Sequence, residues 1–525
     1  MDALVVLIPL MPLLAAVIIG VGHLFGIVKG EASETFTALT ATWAISMSCL
    51  LALALLGADL LQKNIGTFDI GLWLDSDTLK IGFGFITTGF NIKLAALFAV
   101  LLMVITRFSI NYMHREAGFH RFFFILSLFS SAIFSIVLSG NALGTFVGWE
   151  IAGLCSYFLI AYAYDRPVAV ANATRVFVTN RIGDAGFILG LGLSHTWVES
   201  LTWSDINAAA TDLSKGEATA IALCFTIAAL AKSAQLPFSP WLARALEGPT
   251  PSSAAFYGAV MIHAGVYLII LLEPLISEQP LVMGVLIFSG LTTALYGYLG
   301  GLTQTDIKSS FAFAKSGQLG LIFLECGLGF WQLASWHLCA HAIVRCYLVL
   351  TAPSFMHNVK DVPVKPVSPM LANKRWLFVA SLQRFWVEQI TDWALVKPVR
   401  HLARDLSYFD DNIVDRLMGI PAPAVNAASS LAQLEERALG AKLDVGSGGG
   451  NSTTFIPGTD LVSALTSRIA GLVHWFEDRL VLQGVSKDAL HFGRALGHLA
   501  NKFETQVLRP RYLVLLVFIT LLVAF

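Results

Sequence analysis

Five ionisable side chains lie inside long apolar segments: Glu150 in FVGWEIAGLCSYFLIAYA, Lys232 in AIALCFTIAALAKSAQLPF, and His337, His341 and Arg345 in LASWHLCAHAIVRCYLVL. An ionisable group at membrane depth costs several kcal/mol and by default marks a path for protons or ions. A protein needing only an anchor has no use for an acid, a lysine and two histidines there. The pattern predicts a chain that moves charge across a bilayer. The i, i+4, i+8 spacing of His337, His341 and Arg345 stacks them on one helical face, as a shared polar path requires.

Runs of about 20 apolar residues match a hydrocarbon core of about 30 Å. They predict an all-α polytopic membrane protein with spans near 3–26, 35–61, 88–112, 120–139, 142–163, 170–196, 217–243, 252–274, 279–300, 307–329 and 332–354. A last short span is expected near 509–525. The antiporter-like body is thus 1–354, followed by a polar interval at 355–508 and a terminal anchor. Pro237 and Pro240 predict a break at mid-depth in the span holding Lys232, where freed carbonyls can line a transport site.

Lys29, Arg115, Arg166, Arg244 and Lys308 fall in connections after odd-numbered spans, while connections after even-numbered spans carry little beyond Lys63, Lys80 and Lys215. By the positive-inside rule the N-terminus faces outward and 355–508 is cytoplasmic, in a bacterial inner membrane. Within that interval RFWVEQITDWALVKPVRHLARDL reads as an amphipathic helix. A GSGGGNS linker follows near 446–452. A proline-free amphipathic helix over roughly 463–508 then runs along the membrane into the anchor.

The chain is 56% hydrophobic and 13% charged, with net charge −1 and mean hydropathy +0.70. Ordinary soluble domains carry roughly 25% charged residues. Nothing in this balance points to nucleic acid. The six cysteines lie in apolar runs without metal-ligand spacing, which argues against disulfide or zinc roles. The N-terminal run MDALVVLIPLMPLLAAVIIG has an acidic n-region and reads as a first span, not a cleaved signal. No phosphate loop, dinucleotide fingerprint, nucleophile elbow or heme motif is found, so no organic cofactor is expected in this chain.

The runs RFFFILSLFSSAIFSIVLSGNALGTFVGWEIAGLCSYFLIAY, FVTNRIGDAGFILG, AKSAQLPFSPWLARALEGPTPSSA, QTDIKSSFAFAKSGQLG and WHLCAHAIVR occur in that order over roughly residues 85–355. They resemble the antiporter-like subunits of respiratory complex I, its L subunit especially, and of Mrp-type sodium/proton antiporters. The resemblance implies that Glu150 pairs with Lys232. It also implies that His337 and His341 are the histidines of the HxxxH run and that Asp184 is the acid of the NR-GD run.

Departures from the pattern carry information too. Arg345 stands where the family has a central lysine, and arginine cannot release a proton, so a simple lysine relay is excluded there. Tyr257 replaces the usual histidine after EGPTP, and His263 appears six residues later. Lys315 and Glu325 lie where the family commonly has neutral residues. After the HxxxH helix the chain lacks the further spans of the L subunit. This shortening, with the APSFMHN run, resembles the membrane subunit of DAB-type inorganic-carbon accumulation complexes. That resemblance implies a large cytoplasmic partner similar to a zinc carbonic anhydrase, with the zinc in the partner.

Each residue has a competing structural role. Asp184 can form a local salt bridge with Arg181 or take part in a relay. Lys315 and Glu325 can pair with each other or with Arg345. Arg175 is placed to tune the Glu150–Lys232 pair, and His263 joins the candidate path. Glu150 and Lys232 as a static buried pair would gain little net stability, which favours a role in transport. Three further functions compete with carbon accumulation: a pump subunit of a complex I-like quinone oxidoreductase, an Mrp-type antiporter subunit, and a non-conducting scaffold.

Overall fold

With no water at membrane depth, backbone polar groups must be satisfied within the chain, and apolar runs of span length become helices. The computed structural model describes residues 2–62, 66–75, 80–304, 307–352 and 373–410. The chain forms two compact units, Met1–Arg400 and His401–Phe525; of the second, residues 401–410 are described. The expected linker near 446–452, the helix over 463–508 and the anchor at 509–525 lie outside the described residues.

The first unit is mostly helical, as the sequence predicts, and a long helix stands at each of the first eleven expected spans. These are α1 (Leu7–Leu24), α2 (Glu34–Leu60), α3 (Gly89–Tyr112), α4 (Phe119–Leu138), α5 (Ala142–Ile160), α6 (Pro167–Val198) and α7 (Lys215–Lys232), then α8 (Thr250–Leu271), α9 (Pro280–Gly301), α10 (Ile307–Gly327) and α11 (Trp331–Thr351). Nine helices among the described residues are long and apolar enough to cross a membrane. The other two, α7 and α10, carry Lys232 and Lys315. Large apolar side chains such as Trp43, Phe288, Leu295, Trp336 and Tyr347 are exposed on the outer helices, as lipid-facing surfaces require. The central helix is α8, which is almost wholly buried.

Two features go beyond the sequence reading. An antiparallel hairpin, β1 (Thr67–Asp75) and β2 (Lys80–Ile86), occupies the connection between α2 and α3. It is held to the α4–α5 turn by Asn141, whose Nδ2 donates to Gly82 O at 2.7 Å. The second feature is the joint between α9 and α10. A Cβ on Gly290 would lie 2.5 Å from Leu324 N, and one on Gly320 would lie 2.6 Å from Gly290 O. Only glycine permits backbones to approach this closely, the small-residue packing that membrane helices use.

The break in α7 falls where the prolines predict it. The helix begins with a capping box from Ser214 and Glu217 and ends at Lys232. Ala234 takes a left-handed conformation, and Leu236–Pro237 is cis. Several of the freed backbone groups find partners, as burial demands. Trp241 Nε1 donates to Ala231 O at 2.9 Å, Thr293 Oγ1 accepts from Leu236 N at 2.9 Å, and Ser289 Oγ donates to Leu236 O at 3.0 Å. Thr391, far along the chain, donates to Pro237 O at 3.0 Å.

The RFWVEQ segment is not the single amphipathic helix that the sequence predicts. Arg384, Phe385 and Trp386 all have φ near +53°, which breaks the path between Arg375–Leu382 and Val387–Thr391. The reason is docking. Ser381 Oγ donates to Leu299 O at 2.6 Å, Arg384 donates to Gln304 at 3.2 Å, and Glu388 lies against arginines of the helical body. A straight helix could not make these contacts together.

Candidate ion path

Lys232 is the last residue of α7, where the negative end of the helix dipole favours a cation. It is 1% exposed. Its Nζ donates to Trp149 O at 2.9 Å and lies 4.9 Å from the Trp149 ring centroid. The expected Glu150–Lys232 ion pair is not formed. Glu150 on α5 pairs instead with Arg181 on α6, and the same guanidinium reaches Asp184 at 2.9 Å. Trp149 Nε1 donates to the other Asp184 oxygen at 2.7 Å. The physical reason is the planar arginine fork, whose five fixed donors reach both carboxylates at once.

Arg181, Glu150, Asp184 and Lys232 therefore make a four-charge cluster that is neutral when all are ionised. Gly153 opens the space at its centre. A Cβ there would lie 2.8 Å from Arg181 Nη2 and 3.3 Å from Lys232 Nζ. In the sequence, Arg181 is visible only as the neighbour of Asp184; its position between two acids depends on how α5 and α6 face one another.

Arg175 pairs away from this cluster. Its guanidinium reaches Glu388 at 2.7 Å and Asp392 at 2.8 Å, and Arg244 also pairs with Glu388. These contacts bind the 384–396 segment to α6 and to the turn after the broken helix. Glu388 and Arg244 gave no sequence signal as partners, because 144 residues separate them.

The second cluster spans α8 and α11. A π turn at Ala254–Ala259 and a 3₁₀ turn at Met261–His263 interrupt α8, changing the helical register between Tyr257 and His263. His263 Nε2 lies 2.8 Å from His341 Nδ1, and Arg345 Nε donates to His341 Nε2 at 3.2 Å. Guanidinium only donates, so His341 Nε2 accepts and its proton sits on Nδ1, donated to His263. Arg345 thereby sets the polarity of the two-histidine chain. His337 stands one turn away, with ring centroids 6.3 Å apart, and contacts Glu325 at 2.9 Å and Gln318 at 3.1 Å.

Lys315 and Glu325 pair neither with each other nor with Arg345. Glu325 is taken by His337. Lys315 Nζ lies 4.5 Å from the Tyr257 ring centroid and has no hydrogen-bond partner among the described residues. One buried hydroxyl joins the two clusters. Ser233, next to Lys232, donates to Ile262 O at 2.6 Å, and Ile262 precedes His263. The ten residues singled out in the sequence thus fall into a Lys232 cluster, a His263–His341–Arg345 chain, a His337–Glu325 pair and an isolated Lys315, with Arg175 outside all of them.

Residues 139–372 match the family model described as NADH:quinone oxidoreductase/Mrp antiporter, TM. Residues 73–123 match the N-terminal model of complex I chain 5. The NAD(P)H-quinone oxidoreductase subunit 5 of Zygnema circumcarinatum chloroplasts is 32% identical over 363 residues, 68% of this chain and 51% of that protein. Chain 5 of Synechocystis sp. is 32% identical over 373 residues, 68% of this chain and 53% of that one. The chain spans about half the length of these relatives. Among solved structures, the Mrp complex of Dietzia sp. matches with a TM-score of 0.60 at 20% identity, over 98% of this chain and 62% of the matched one. The archaeal membrane-bound sulfane sulfur reductase matches with a TM-score of 0.60 at 17% identity, over 90% and 94%. Both structures share the fold.

Proposed function

The chain belongs to the antiporter-like superfamily of membrane subunits found in complex I and Mrp complexes, and on that premise we propose that it carries protons through a multi-subunit membrane complex. The observation that supports this most is the succession Lys232, Ser233–Ile262, His263, His341. It runs from the broken end of α7 into the centre of the bundle. Ammonium and imidazole groups take and give protons. The Arg181 fork holds both carboxylates, so Lys232 can lose or regain its proton without leaving an acid unpaired. The driving force is about 2.3 kcal/mol per charge per 100 mV.

The partner is part of the proposal. The relatives by name favour a quinone oxidoreductase assembly, and the fold neighbours an Mrp-like or sulfur-reducing one. A second reading, in which the ion gradient energises a cytoplasmic zinc protein similar to carbonic anhydrase, draws on the segment after α11. Residues 375–396 form short helices docked on the body. We place this segment on the cytoplasmic face, with the N-terminus outside.

The test is proton flux in proteoliposomes containing the complex purified through this chain, read with an internal pH dye under an imposed potential. Flux should vanish in Lys232→Ala and fall at least about tenfold in His341→Ala. Undiminished flux in both would overturn the proposal. The copurifying proteins, identified by mass, separate a quinone-reducing arm from a soluble zinc protein.

A further inference from the structure

Lys315 sits at the inner end of a small cavity bounded by α8, α10 and α11. The cavity measures about 20 Å³ and is lined by Thr250, Ser253, Tyr257, Lys308 and Lys315, with Phe311 and Val349 as apolar walls. A volume above about 10–15 Å³ admits one water-sized particle. Lys315 is 1% exposed, and none of its three N–H donors meets an acceptor among the described residues. The Tyr257 ring face beneath it, at 4.5 Å, favours the charged ammonium. At the mouth, Lys308 Nζ reaches Thr250 Oγ1 at 3.5 Å.

Charge makes this cavity unusual. Arg345 acts on Lys315 electrostatically and is itself buried. Neither Lys315, Lys308 nor Arg345 is ion-paired to a carboxylate among the described residues. The acid on the same helix, Glu325, is engaged by His337. A buried cation without hydrogen bonds or a counter-charge is costly, and the neutral amine, with two N–H donors and one lone pair, would still leave polar atoms unsatisfied. A water would satisfy the donors but not the charge.

We propose that this cavity is a binding site for a small monovalent anion of halide size, held by Lys315 and Lys308 with the hydroxyls of Thr250 and Ser253. The bound anion supplies the missing acceptor to Lys315. It also offsets the field of Arg345, the residue that sets the polarity of the His341–His263 chain, so occupancy of the site is coupled to the proton path. The inference concerns binding and stands whether or not the chain conducts protons.

The experiment uses the purified complex with the full chain, exchanged from sodium gluconate into sodium chloride or bromide at constant ionic strength. Gluconate is too large for the cavity. Ligand binding to the folded state raises the melting midpoint by mass action, so a saturable rise with either halide is expected and gluconate should give none. Lys315→Met should weaken the apparent halide affinity at least about tenfold, and Thr250→Val should weaken it less. Equal responses to halide and gluconate would overturn the proposal, as would wild-type halide affinity in Lys315→Met. Should Lys315→Met fail to accumulate, crystals of the wild-type complex in bromide decide the matter. An anomalous peak within hydrogen-bond reach of Lys315 Nζ is expected, and its absence at saturating bromide would refute the site.

Discussion

Glu150 on α5 is ion-paired to Arg181 on α6, leaving Lys232 to the carbonyl of Trp149, the residue beside that acid. One arginine thus stands between the two groups that the family pattern pairs directly. The cluster keeps two positive and two negative groups together, so a proton leaving Lys232 shifts its net charge by one.

Lys232→Ala should abolish proton flux while the protein still reaches the membrane. Lys232→Arg should fail as well, because it keeps the charge without a releasable proton. Dye-monitored flux in proteoliposomes measures both. Full activity in the arginine variant would make Lys232 an electrostatic element and not a carrier.

Arg181→Gln should be strongly destabilising, because it leaves the buried Asp184 and its neighbour Glu150 without their cation. Breaking such a buried pair by removing one partner costs about 3–5 kcal/mol. The triple variant Arg181→Gln, Glu150→Gln, Asp184→Asn should recover much of the thermal midpoint by removing the orphaned charges, while flux stays low. A triple variant as unstable as the single one would contradict the charge argument.

His263→Ala and His341→Ala should each reduce flux at least about tenfold. If the two rings act in series, the double variant should be no worse than either single one, the non-additivity expected of residues acting as a unit. Multiplying losses would show independent roles.

Glu388→Gln should free the 375–396 segment without disturbing the spans. Glu388 holds Arg175 and Arg244 at once, so amide hydrogen exchange in that segment should speed up about 10- to 100-fold. Exchange in α4 and α8 should not change. Unaltered exchange at 375–396 would mean that Thr391 and Ser381 suffice to hold it.

A cysteine at Ser277 should react with impermeant reagents from outside the cell only, and one at Ala403 from the cytoplasmic side only. The reverse pattern would overturn the orientation drawn from loop charges.

Much of this arrangement is legible in the sequence, for identifiable reasons. Glu150, Lys232, His337 and His341 stand out because ionisable residues are rare in apolar runs, and Pro237 with Pro240 announces the break in α7. Contacts between helices are a different matter. Arg181 reads as a local partner of Asp184, and nothing in the order of residues places it against Glu150. The π turn in α8 carries no proline or glycine-pair signature, yet it helps bring His263 to His341. Arg175 lies close to the NR-GD run in sequence but points at residues more than two hundred positions away. The hairpin at 67–86 gives a weak signal because its strands sit in a connection between two strong helical patterns.

The glycine contacts between α9 and α10 have a mechanical consequence. Backbones in direct contact at Gly290, Gly297 and Gly320 leave no compressible side-chain layer between the two helices, so they behave as one stiff beam. Lys315 and Glu325 ride on that beam. His337, the partner of Glu325, rides on α11 together with His341 and Arg345. A displacement that changes the Glu325–His337 or Lys315–Arg345 distance is therefore a movement of α11, and α9 is the fixed frame against which it is measured.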